Sequence, residues 1–127
     1  MTPVVETAHR AFFEADGARP VDPVAAVVRC IEHGSRVLLF DAGALPDAFF
    51  DLSTGVAGEL VQKLVDYDVR MAAVVPDLAA RSARFREFAR EANARRQFRF
   101  FETREEAVAW IESVSSPSPR NPSGTLR

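Results

Sequence analysis

The run Arg36-Val37-Leu38-Leu39-Phe40 (RVLLF) decides how this chain folds. Its apolar residues are continuous rather than alternating, which marks a strand covered on both faces, the condition of parallel sheets. Val69–Val75 (VRMAAVV) repeats the pattern and is stopped by Pro76, which cannot donate to a strand ladder. Gln97–Phe101 (QFRFF) supplies a third run. Parallel neighbours need crossovers long enough to hold a helix, and each interval provides one. After a loop with Gly43 and Pro46, apolar residues at helical spacing extend from about Leu52 to Tyr67; they recur from about Leu78 to Ala94.

Upstream of RVLLF, Asp22 caps a helix with Pro23 at its first position and Gly34 at its close. Val24, Val27, Val28 and Ile31 share one face of it. Val4–Thr7 and Arg10–Ala15 read as two short strands with His9 between them, and Asp16-Gly17 as the turn that ends the pair. Downstream, Thr103 and Glu106 have capping-box spacing and open a final helix through Ile111 toward Val114. The order ββαβαβαβα predicts an α/β domain: a mixed, mostly parallel sheet of about five strands with about four helices. A single domain is expected over residues 1–114, and the Ser/Pro-rich stretch 115–127 is expected to be a disordered tail.

The 127 residues are 47% hydrophobic and 27% charged, enough apolar material for one core. A formal net charge of −2 argues against broad binding to nucleic acid. No apolar run approaches the roughly 20 residues that cross a bilayer. The first ten residues, MTPVVETAHR, lack the basic and apolar regions of a secretory signal, so a cytoplasmic protein is expected. The single Cys30 excludes an intrachain disulfide and a multi-cysteine metal site, and it suits a small packing position. His9 and His33 belong to no metal-spaced or triad-like pattern. No cofactor is implied, and GxxxxGK[ST] is missing.

Ligands of open α/β sheets bind beyond the carboxyl ends of the strands. Asp41 follows RVLLF, Asp77 follows VRMAAVV and its proline, and Asp51 stands at the entry to the next helix. Three such carboxylates could hold Mg²⁺ or move protons; equally, short acidic side chains cap helices. Arg81, one turn after Asp77, is placed to face that edge and bind an anion. The neighbouring arginines interleave with Glu87 and Glu91 and leave no single basic face.

The most informative stretch is Phe49–Lys63 (FFDLSTGVAGELVQK). On a helical wheel Val56, Ala57, Leu60, Val61 and Leu64 form the buried stripe, while Gly55, Gly58, Glu59 and Gln62 point away. An outward glycine costs about 1 kcal/mol relative to alanine. Two of them suggest close approach by a partner protein, a phosphate or another part of the chain. Ser53 and Thr54 sit where a hydroxyl caps the helix or accepts a phosphoryl group. Glu59 and Lys63, the chain's one lysine, have the i, i+4 spacing of a surface ion pair.

Those residues resemble a bacterial family known as domain of unknown function 4180, whose members are small and STAS-like (sulfate transporter and anti-sigma factor antagonist-like). The resemblance rests on FFDLSTGVAGELVQK, the strand ending at Asp77, Arg81-Ser82, and Glu91-Ala92-Asn93 ahead of Gln97, and covers about residues 9–112. Ser53 and Pro76 depart from it, where a basic residue and a glycine are usual. That family has no established activity; the broader STAS resemblance implies a regulatory binding domain. In anti-sigma factor antagonists a D-S-[ST]-G segment carries a hydroxyl phosphorylated by a partner kinase, and Asp51-Leu52-Ser53-Thr54-Gly55 looks like a loosened form. By that analogy Thr54 or Ser53 is the phosphoacceptor and a kinase-like regulator the partner. Thr54, Gly55, Gly58, Glu59, Gln62, Lys63, Asp77, Arg81 and Asn93 are then the interaction or ligand candidates.

Two functions stay open. One is a non-enzymatic interaction module working through the Phe49–Lys63 surface. The other is a small-molecule or anion-binding protein, an enzyme included, with its site at the strand ends. A homodimer formed where the N-terminal hairpin or QFRFF leaves a sheet edge open is a further expectation.

Overall fold

The computed structural model describes residues 6–8, 12–15, 19–95 and 97–115. His9, the Asp16-Gly17 turn and residues from 116 onward lie outside them. In chain order the elements are β1 (Glu6–Ala8), β2 (Phe13–Ala15), α1 (Pro23–Glu32), β3 (Val37–Asp41), α2 (Asp47–Phe50) and α3 (Val56–Tyr67). There follow β4 (Arg70–Val74), α4 (Ala83–Asn93), β5 (Phe98–Phe101) and α5 (Arg104–Ser115). All strands join one sheet whose spatial order equals the chain order. β2, β3, β4 and β5 are mutually parallel, with Phe13 beside Leu38, Leu38 beside Met71 and Met71 beside Phe98. β1 adds a short antiparallel edge, Glu6 opposite Ala15.

That order explains which face the helices occupy. Each crossover advances the sheet in the same direction, and crossovers of one hand then place every helix on the same side. α1, α2, α3 and α4 accordingly pack on one face, over Phe13, Leu38, Phe40, Met71, Ala73, Phe98 and Phe100. The other face, with Phe12, Leu39, Ala72 and Val74, is left to α5 through Ala107 and Ile111.

Among the described residues five helices stand where about four were expected, because the loop ahead of Leu52 holds a further turn of helix, and the helix expected from about Leu52 begins later. α2 is a single turn, followed by a 3₁₀ turn at Leu52–Thr54. Asp51 caps that turn by accepting from the Ser53 N–H at 3.0 Å. Gly55 then adopts φ +81°, and α3 begins only at Val56. The helix expected from Leu78 is also delayed: Leu78–Ala80 is a 3₁₀ turn, Arg81 is extended, and Ser82 caps α4 by accepting from the Phe85 N–H at 3.1 Å.

Other punctuation follows the sequence. The Asp22 carboxylate accepts from the Val24 N–H at 3.1 Å, and Gly34 turns the chain out of α1 at φ +81°. Thr103 Oγ1 accepts from the Glu106 N–H at 3.2 Å to start α5, which reaches Ser115, one residue into the expected tail. Cys30 is fully buried, and burial pushes its thiol pKa up. No helix among the described residues is long and apolar enough to cross a membrane.

Candidate functional site

The two phenylalanines that open FFDLSTGVAGELVQK belong to the core. Phe49 is fully buried, with its ring against Phe50, Phe85, Phe98 and Phe100 at centroid distances of 5.2–6.3 Å. This cluster fixes the one-turn α2 and thus aims the turn that follows. In that turn Ser53 Oγ donates to the Asp51 carboxylate at 2.6 Å. The bond favours the charged form and holds the Asp51 pKa below the usual carboxylate range. The Thr54 hydroxyl points back into the chain. Its proton has the Ala48 and Asp51 carbonyls at 2.6 and 2.8 Å as acceptors, and its oxygen accepts from the Val56 N–H at 3.3 Å.

The two glycines part company here. Gly55 lies at a left-handed position that disfavours any Cβ, so its glycine is explained by the backbone and not by an outward helical face. Gly58 has ordinary helical geometry inside α3, and a Cβ built on it would meet nothing within 4 Å. No internal contact accounts for it. Glu59 and Lys63 form no ion pair among the described residues, contrary to their spacing. Gln62 instead donates from Nε2 to the Asp66 carboxylate at 2.9 Å.

Gly58 borders a groove between α3 and α4. A cavity of about 220 Å³ lies beside Gly58, Val61 and Val65, with Phe88 and Phe98 as its apolar floor. Through Phe88 and Glu91 it adjoins one of about 410 Å³ along α4, and through Leu52 and Arg84 that adjoins a third of about 290 Å³ at Ser53 and Ser82. Val65 stands 56% exposed on the same helix and Tyr67 42%.

At the strand ends Asp77 and Arg81 come together as an ion pair, Nη2 to Oδ1 at 3.3 Å. Arg81 also lies 3.7 Å above the Phe50 ring centroid. Its charge is therefore engaged from two sides. Asp41 caps the chain after β3 by accepting from the Ala42 N–H at 2.8 Å. Among the described residues no three His, Cys, Asp or Glu side chains gather closely enough to hold a metal ion, so Asp41, Asp51 and Asp77 do not form the Mg²⁺ cluster entertained for them.

Asn93 and Gln97 work inside the fold. Asn93 Oδ1 accepts from the Phe100 N–H at 2.7 Å, and Gln97 Nε2 donates to the Leu64 and Val69 carbonyls at 3.1 and 2.8 Å. The first bond bears on the sheet edge. Met71 and Val75 donate their N–H groups to the carbonyls of Gln97 and Phe101, so Phe98 and Phe100 turn their backbone groups outward. Asn93 occupies one of those groups, and both residues are nearly inaccessible, so the β5 edge is covered rather than open.

Sequence reasoning missed the one charged residue that is buried among the described residues. Glu14 is only 8% exposed, and Arg104 grips it with Nε at 3.0 Å and Nη2 at 2.9 Å, which also raises the Arg104 pKa. Phe12 and Glu14 alternate with Phe13 and Ala15, which puts a carboxylate on an inward face. That was the available signal; its partner ninety positions away was not.

No curated protein and no solved structure matches this chain. The family model described as "Domain of unknown function (DUF4180)" matches residues 18–111, from the approach to α1 to the buried Ile111 of α5. The match takes in every strand of the parallel sheet but β2 and all the helices that build the groove, and the chain belongs to the DUF4180 family.

Proposed function

We propose that this domain is a non-enzymatic regulatory module, STAS-like in kind, that binds a protein partner through the α3 surface around Gly58. The carrying observation is Gly58 itself: a glycine with helical geometry, open space around it and an apolar groove beside it. A residue that lowers helix stability without serving a turn or an internal contact makes sense if something outside the chain comes close. The element order, which is ββαβαβαβα once the single-turn α2 is set aside, supports the STAS-like reading. Phosphorylation would act on the same region. A dianion on Thr54 would break its bonds to the Ala48 and Asp51 carbonyls, and one on Ser53 would stand against Asp51; either loosens the turn that starts α3. The strand-end alternative is the weaker reading, since Asp77 already neutralises Arg81.

The test is a pull-down from the native host with tagged wild-type and Gly58→Arg chains. One protein that co-purifies with wild type and is lost with the variant is the expected result. Equal retention by both, or no partner for either, overturns the reading.

A further inference from the structure

Arg84, Phe88 and Glu91 stand at i, i+4 and i+7 on α4, so they line one flank of the helix, the flank that borders the groove. Arg84 and Glu91 are exposed, and among the described residues neither makes a close ion pair, although Arg84 shares its cavity with the Asp51 carboxylate and acts on it at longer range. Glu87, between them, is committed to Arg90 at 2.9 Å. Phe88 packs its inner side on Phe85, Phe98 and Phe100 and leaves its outer side at the groove. The flank is therefore an apolar centre with an exposed positive charge about one turn to one side and an exposed negative charge about one turn to the other, neither held in a close ion pair.

Such a pattern is complementary to itself. If two helices lie antiparallel about a two-fold axis midway between residues 84 and 91, each arginine faces the other helix's glutamate. The pair is made twice, and the two Phe88 rings meet beside the axis. Arg84 and Glu91 are about 10 Å apart along the helix, a span that two antiparallel helices in contact match without a shift in register. We infer that a second copy of this chain docks on this flank, α4 against α4. The inference rests on reading the Gly58 groove as an interaction surface and names its partner. Gly58 and Val65, across the groove on α3, then border the docked copy, which gives the missing side chain at 58 a purpose.

Sedimentation equilibrium of the full chain over a range from micromolar to several hundred micromolar tests the inference. Wild type is expected to dimerise. Arg84→Glu and Glu91→Arg are each expected to raise the dissociation constant about tenfold or more, because each reversal converts two attractive pairs into two repulsive ones. The double variant R84E/E91R restores the complementarity and should return to within about threefold of wild type. Glu112→Arg, an equal charge change at an exposed site on α5, should leave the dimer unchanged, and circular dichroism should show every variant folded. A wild type that stays monomeric throughout, single reversals without effect, or a double variant that fails to recover each overturns the inference. A monomeric wild type whose lysate partner is still lost on Gly58→Arg would remove self-docking alone and leave the broader interaction reading standing.

Discussion

Replacing each of two glycines three residues apart by alanine should move stability in opposite directions. At Gly58 the new methyl group meets nothing within 4 Å and the backbone is already helical. The substitution gains helix propensity and removes unfolded-state freedom, for a stabilisation of about 0.5–1 kcal/mol. At Gly55 the space is equally open, but φ is +81°, where a Cβ costs about 1–2 kcal/mol. The two variants should thus differ by roughly 2 kcal/mol although both add one carbon. Urea denaturation resolves that difference readily, and melting should rise by about 3 °C for Gly58→Ala and fall by about 5 °C for Gly55→Ala. A destabilised Gly58→Ala would mean that an internal neighbour needs the glycine, and the case for an outside partner would collapse. A neutral Gly55→Ala would show that the left-handed turn is not what separates the 3₁₀ turn from α3.

Arg104→Ala strips two charge-assisted bonds from the buried Glu14 and should cost about 2 kcal/mol; a loss below about 0.5 kcal/mol in urea titration would contradict the anchoring role. Asn93→Ala leaves the Phe100 N–H without its acceptor and should cost about 2 kcal/mol, whereas Asn93→Asp, which keeps an acceptor oxygen, should cost clearly less; equal losses would argue against the bond. Asp51 titrates below its unfolded value, so its contribution to stability is complete above the unfolded pKa and lost as pH falls through the folded one. Ser53→Ala should raise the Asp51 pKa and flatten that acid limb, which carboxyl-carbon NMR titration would detect; an unchanged Asp51 pKa would show that Ser53 is not its cause.

The central strands were legible because RVLLF and VRMAAVV are largely buried on both faces, and continuous apolar runs have few other uses; QFRFF alternates buried and half-buried positions, as suits an edge strand. The interruption at residues 50–55 was not. Phe49, Leu52 and Val56 continue a helical period, and only the Asp51 cap and the sign of φ at Gly55 end it. Periodicity records which residues are buried, not whether the backbone between them is one helix. Ser82 was readable as a cap in principle, but Leu78 and Arg81 extended the apparent helix across it. Within the candidate site, the outward glycine at 58 could be read from the wheel, since it depends on local geometry alone. The Phe88 groove and the covered β5 edge could not, because both arise where α3, α4 and β5 meet.

A sheet whose strands stand in the order in which they are synthesised carries a consequence for assembly. No strand of the parallel region has to be threaded between two others already in place. Each helix–strand unit can be laid against the edge its predecessor has just offered, so the chain can condense progressively as it leaves the ribosome. Until β5 arrives, the growing edge is unguarded at every stage. Asn93 reaches that last strand from the helix made just before it, so the guard is already built when the strand it closes appears.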